Sequence, residues 1–116
     1  MNSITLTGRL TADPETRSTQ SATAVTQFRL AVQRRRSREG EDRGAVYVDV
    51  VSFGGLAESV GEYLTKGRHV AVSGRLELDE WETDAGERRS RHKVIADEVE
   101  FLGVRREDGD SEEASF

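Results

Sequence analysis

The chain contains no cysteine and a single proline. The first absence excludes disulfide staples and thiolate metal sites and agrees with a reducing compartment. The second leaves Pro14, within Asp13-Pro14-Glu15, as the one rigid marker of a turn. No apolar run reaches the length needed to cross a bilayer. The amino end, Met1-Asn2-Ser3-Ile4-Thr5, has neither the basic start nor the apolar stretch of a signal peptide, so no membrane partner is expected. Aromatic residues are few: four phenylalanines, two tyrosines and one tryptophan. Lysine is scarce too, since fifteen of the seventeen cations are arginine, the cation better suited to phosphate forks and to stacking on flat rings.

What is there describes one small domain. A chain of 116 residues supplies one compact core, and with hydrophobic and charged fractions both at 34% that core is thin. A sheet or barrel with one buried face fits this better than a layered sandwich. The net charge of −5 is unevenly spread: residues 1–106 carry 17 bases against 17 acids, and residues 107–116 carry five acids and no base. The location of the arginines in the neutral part therefore matters more for an anionic ligand than the total.

Ile4, Leu6, Gly8 and Leu10 alternate with Ser3, Thr5, Thr7 and Arg9, the pattern of a half-buried strand. A polar connection covers 11–23. A second strand over 24–33 turns Phe28, Leu30 and Val32 inward, and 34–44 is a charged hairpin loop. The third strand, 45–53, has Val46, Val48 and Val50 inward and Tyr47, Asp49, Val51 and Phe53 on the opposite face. The period then changes: Leu56, Val60, Tyr63 and Leu64 recur at helical spacing, with Lys66-Gly67 as the stop. Strands over 68–83 and 87–103 flank Asp84-Ala85-Gly86, whose glycine suits a left-handed hairpin position. Gly8 and Gly74, each followed by Arg-Leu, mark bends or bulges. The order predicts an all-β chain, a five-stranded OB-fold barrel with one short helix between strands 3 and 4. Another small β-rich barrel is the alternative.

Chemistry in the catalytic sense has little to work with. His69 and His92 lie in separate strands with no cysteine or metal-spaced carboxylates beside them, and Gly54-Gly55 lacks the lysine of a nucleotide loop. The carboxylate-rich stretch 77–87 reads as a solvated strand face more simply than as a weak cation site. No catalytic residue, metal or cofactor is expected. Phe28 and Tyr63 are assigned to packing. Tyr47 and Phe53 share an outward face, and Trp81 points outward on the parity of Arg75, Glu77 and Asp79. Exposed rings on a sheet stack unpaired bases of any identity; the alternative is that Tyr47 and Phe53 cover a second small core or a subunit contact. Arg34, Arg35 and Arg36, with Arg38 and Arg43, decorate the loop leading to Tyr47, and Arg88, Arg89, Arg91 and Lys93 follow the Trp81 turn. Rings flanked by cations favour the base-stacking reading.

These residues resemble the bacterial single-stranded DNA-binding proteins of replication and repair. The resemblance runs from about Asn2 to Gly103 through Gly8-Arg9-Leu10, Asp13-Pro14-Glu15-Thr16-Arg17, Phe28-Arg29-Leu30-Ala31 and Phe53-Gly54-Gly55-Leu56-Ala57-Glu58. It continues through Tyr63-Leu64-Thr65-Lys66-Gly67, Val72-Ser73-Gly74-Arg75-Leu76 and Trp81. It implies an OB domain over 1–104 with a short acidic tail over 105–116, a homotetramer, and a cytoplasmic, nucleoid-associated protein that coats exposed strands. It places Trp81, Tyr47 and Phe53 as stacking residues; the clustering of basic residues adds Arg34, Arg35, Arg36, Arg88, Arg89 and Arg91 as the expected phosphate contacts. The family's usual aromatic in the loop after the second strand has no counterpart here, and Arg36 stands near that place.

Two departures accompany the resemblance. Relatives carry basic or neutral residues before the tryptophan, where this chain has Glu77, Asp79 and Glu80. If Thr83 sits opposite Glu87, Asp79 faces Arg91, Glu77 faces Lys93 and Trp81 faces Arg89, so cross-strand ion pairs are expected to neutralise much of that patch. Relatives also end in a long linker and an acidic tip finishing in Pro-Phe, which recruits replication and repair proteins. Here about ten residues carry Glu112, Glu113 and a final Phe116 without the proline, which suits an auxiliary paralogue; partner docking through Phe116 is set against a frayed terminus. Two rival functions stay open: an OB protein-interaction module with weak DNA affinity, and an RNA-binding barrel, since stacking ignores the sugar.

Overall fold

The computed structural model describes residues 1–35, 39–40 and 44–103. In chain order the elements are β1 (Ile4–Leu10), β2 (Glu15–Ser18), β3 (Ala24–Gln33), β4 (Ala45–Phe53), α1 (Gly54–Tyr63), β5 (His69–Glu82) and β6 (Arg88–Leu102). Five strands close a ring in the order β1-β5-β6-β4-β3, sealed by β1 against β3 through Arg9 opposite Ala31 and Leu10 opposite Leu30. Every contact around the ring is antiparallel except β4 with β6, which is parallel over three residue pairs from Asp49–Lys93 to Val51–Ile95. The helix follows the third strand of this ring, as the alternation predicts.

One element was not legible. The connection over 11–23 contains β2, which pairs along the outer flank of β3 from Glu15–Gln27 to Ser18–Ala24. All four of its side chains are exposed, so no hydrophobic period marks it; backbone pairing alone makes it a strand.

Alternation supplies the core. Leu10, Phe28, Leu30, Val50, Val70, Val72, Val94, Val99 and Phe101 turn into the ring, and Val60 and Leu64 of the helix segment join them. α1 packs against β3, β4 and β6, and the buried Thr26 hydroxyl donates to the Ala57 carbonyl at 2.7 Å. The inward parity of β4 holds only near the helix: Val50 is fully buried, Val48 half-buried and Val46 exposed. The strand starts beyond the filled part of the ring. Tyr63, expected on the apolar stripe, is also exposed, because α1 is a single short helix whose buried face is completed by Ala57 instead. Gly67 does not stop the helix, which ends at Tyr63 with Leu64 already extended. At φ +88° it instead turns the chain toward β5, its N–H donating to the Leu10 carbonyl at 2.8 Å.

Gly74 and Gly8 both permit close backbone approach. The register of β5 with β6 slips between Ser73 and Gly74, and a Cβ at Gly74 would meet the Ile95 carbonyl oxygen and come within 2.9 Å of the Ala96 Cα. A Cβ at Gly8 would meet the Ala31 carbonyl. The expected bulge is therefore present at Gly74, and Gly8 marks a tight strand crossing.

β5 and β6 outrun the ring. β5 leaves β1 after Gly74, with only the Asn2 amide reaching on to the Leu76 backbone at 2.9 and 2.8 Å. Among the described residues, 77–82 and 88–92 pair only with each other, forming a two-stranded ribbon closed by Thr83 and Glu87 with Gly86 at φ +85°.

Candidate nucleic-acid interface

The outward parity of β4 brings Tyr47, Asp49, Val51 and Phe53 to one side of the ring. Register adds Ala31, Arg29, Gln27 and Val25 from β3, and Lys93 and Ile95 from β6. β6 in turn sets Glu77, Asp79 and Trp81 of β5 opposite Lys93, Arg91 and Arg89. One continuous outer face thus runs from β2 across to the ribbon.

Its centre is apolar. Val25, Val51 and Ile95 form a second small cluster, separate from the main core. The alternative in which Tyr47 and Phe53 cover a second core is thus met halfway: the cluster exists, but the rings stay in solvent, with Phe53 45%, Trp81 47% and Tyr47 55% exposed. Val25 and Val51 floor a groove of about 300 Å³ whose walls include Phe53, Trp81, Arg17, Arg91, Lys93, Asp49 and Asp79. Phe53 stands at the junction of β4 and α1, and the exposure of its ring leaves it open to a ligand. Tyr47 lies six residues back along β4, about 20 Å away at ~3.3 Å per residue. Arg91 and Asp49 border both regions, so they link the groove to the surroundings of Tyr47 and Arg29. The Arg29 guanidinium lies over the Tyr47 ring, 5.2 Å from its centroid. A larger hollow of about 570 Å³ lies at the Tyr47 end, bordered also by Arg9, Gln33 and His69.

The cations divide into groups. Arg91 and Lys93 line the groove, joined by Arg17 from β2. Arg89 is outward opposite Trp81, but its guanidinium is held by Glu87 at 2.7 Å. Arg88 pairs with Glu82 in register and has the other parity, which puts it on the reverse of the ribbon from Trp81. Arg34 and Arg35 are exposed at the base of the hairpin loop, just past the end of β3 that pairs with the start of β4. Arg36, Arg38, Arg43 and Phe116 lie outside the described residues.

The expected register of the ribbon holds at every position, but its ion pairs differ. Lys93 reaches Asp79 diagonally at 2.9 Å instead of its direct neighbour Glu77, which pairs with Arg75 along its own strand at 3.1 Å. Arg91 turns away from Asp79 to Asp49 of β4, at 3.3 Å. The reason for the Arg91 choice is the parallel seam between β4 and β6 at Asp49–Lys93, which brings Asp49 to the base of the ribbon. Two residues that sequence reasoning passed over join the face. Arg29 was legible from its alternation with Phe28 and Leu30; Arg17 was not, because β2 was not.

Exposed rings beside cations on an open sheet are the features by which a protein can hold single nucleic-acid strands. A profile of the single-strand binding protein family matches residues 1–102. The single-stranded DNA-binding protein of Clostridium tetani is 46% identical over 103 residues, covering 88% of this chain and 70% of the relative. That of Thermotoga maritima is 44% identical over 103 residues, covering 87% and 73%. The Fusobacterium nucleatum protein of the same name is 38% identical across 100% of this chain and 76% of its own length. The chain belongs to the single-strand binding protein family, and its strand ring with one helix between β4 and β5 is an OB fold. Membership favours single-stranded DNA as the ligand over the protein-interaction and RNA readings.

Proposed function

We propose that this chain binds single-stranded DNA along the β2-β3-β4-β6-β5 face with little sequence preference, and coats and protects strands exposed in replication, recombination and repair. The observation that carries this is the exposure of Phe53, Trp81 and Tyr47 on one side of the ring. Bases stack on these rings, while Arg17, Arg29, Arg91 and the Arg34-Arg35-Arg36 loop follow the sugar-phosphate chain. Arg89 takes part once Glu87 yields it, and Arg88, on the reverse of the ribbon, is the least favoured of the basic residues. No residue is assigned a reaction, so the protein is read as a binder and not as an enzyme.

Residues 1–104 form the DNA-binding domain in this reading, and 105–116 an acidic tail through which Phe116 docks replication and repair proteins. A homotetramer is part of the proposal. Leu76 and Leu78 on the reverse of the ribbon and Val46 at the start of β4 are 41–46% exposed, and they offer apolar surface for further copies to cover. Nucleoid association follows from the ligand; no helix among the described residues is long and apolar enough to cross a membrane.

The test uses the lone tryptophan. Its fluorescence is followed on titration with oligo-dT, a matched RNA and duplex DNA at two salt concentrations. Strong quenching by oligo-dT that weakens with salt is the expected result. No response to any of the three overturns the proposal, and equal quenching by RNA replaces it with the RNA reading.

A further inference from the structure

The groove between Phe53 and Trp81 holds three cations and two carboxylates. Both carboxylates are engaged with cations of the groove: Asp79 with Lys93 at 2.9 Å, and Asp49 with Arg91 at 3.3 Å. The four side chains come from three strands and straddle the parallel seam of the ring. Asp49 is well covered, its side chain only 16% exposed, so it is fixed beside the apolar floor of Val25 and Val51 and not free to swing into solvent. Other acids of the ribbon behave differently. Glu77 turns to Arg75 and Glu87 to Arg89, and neither lines the groove.

We propose that Asp49 and Asp79 act as tethered stand-ins for DNA phosphates and thereby set how binding responds to salt; this deepens, and rests on, the reading of the face as a single-stranded DNA site. A phosphate entering the groove takes Arg91 or Lys93 from a carboxylate that already neutralised it. The phosphate sheds its condensed counterion, but the displaced carboxylate draws a cation from solution, so the net release is small. Each such exchange cancels most of the salt dependence that a bare cation gives. Arg17, with no carboxylate partner among the described residues, is the groove cation that keeps its full share. The protein therefore keeps its grip on single strands as ionic strength rises, and the same two aspartates hold Arg91 and Lys93 in place before the strand arrives.

The experiment compares the wild-type chain with Asp49→Asn/Asp79→Asn for binding of labelled oligo-dT across a range of salt concentrations. For single strands the slope of log K against log salt changes by about 0.7 for each phosphate newly neutralised, so freeing two cations steepens it by about 1.4 and tightens binding up to ~25-fold near 0.1 M salt. Asp79→Asn alone, at a half-exposed position on the ribbon, frees Lys93 without touching the covered Asp49. It is expected to give about half the change in slope and up to ~5-fold in affinity. It also keeps the test open should the double variant fold poorly. Glu80→Gln/Glu82→Gln removes the same charge from the other face of the ribbon, and a shift well under half that of the double variant is expected. An unchanged slope in Asp79→Asn, or an equal shift in the Glu80/Glu82 control, overturns the proposal while leaving the DNA-binding reading intact. A wild-type chain that binds no oligo-dT overturns both.

Discussion

Truncating the three exposed rings separates a base-stacking face from a merely decorated sheet. Each base–aromatic stack contributes about 1–3 kcal/mol, so Phe53→Ala and Trp81→Ala should each weaken oligo-dT binding by roughly 5- to 150-fold, at a factor of ten per 1.4 kcal/mol. The folding cost should be small. Roughly half of each ring is already in water, so its removal opens no cavity in the main core, and the expected loss stays within about 1 kcal/mol. Geometry also dictates how the losses combine. Phe53 and Trp81 face one groove, so a base lost from one changes what the other can hold, and the double variant should depart from additivity by ~0.5 kcal/mol or more. Tyr47 is about 20 Å from Phe53 along β4, and that pair should add to within about 0.5 kcal/mol. Anisotropy of a labelled oligo-dT at fixed salt measures all of these, with the unfolding temperature as the control. Binding within twofold of wild type in both single variants, with unchanged thermal stability, refutes the reasoning. Coupling of Tyr47 to Phe53 but not of Trp81 to Phe53 refutes the proposed groove.

Two further outcomes concern the scaffold. Gly74→Ala should destabilise the chain by about 2 kcal/mol, because the new methyl meets backbone of β6 that no rotamer can move aside; a midpoint of chemical unfolding equal to wild type would contradict the close strand approach. Ser52→Ala should leave stability unchanged or raise it by up to ~1 kcal/mol, since the fully buried hydroxyl has no hydrogen-bond partner among the described residues. A clear loss in the same unfolding assay would mean that the hydroxyl is paired after all.

Much of this was legible wherever a strand alternates against a filled interior. The inward Leu10, Phe28, Leu30 and Val50 follow from a period of two, and the outward Tyr47, Phe53 and Trp81 are the same argument with the sign reversed. The turn from Thr83 to Glu87 fixed the register of the ribbon, because a three-residue loop ending in a left-handed glycine leaves one closure. Sequence reasoning failed where a contact depends on a strand distant in the chain. Asp49 claims Arg91 across 42 residues, and no hairpin register can reveal that competitor. β2 failed for another reason, since a strand with neither face buried leaves no periodic trace. Tyr63 on its helical stripe and Val46 on its inward parity both lie beyond the reach of the packed interior, and periodicity does not say where a core ends.

The overhang of β5 and β6 gives the two rings of the groove unequal freedom. Phe53 is anchored where the ring meets the helix, whereas Trp81 rides on a ribbon with no third strand beside it, an arrangement of low intrinsic stability. In the proposed binding mode Phe53 is therefore the rigid platform and Trp81 the yielding one. Purines and pyrimidines present the same thickness to a stacking ring, so a ribbon that bends adjusts to the path of the strand and not to the size of the base. Amide exchange should accordingly be faster along this ribbon than along β4, and slow once a single strand is bound.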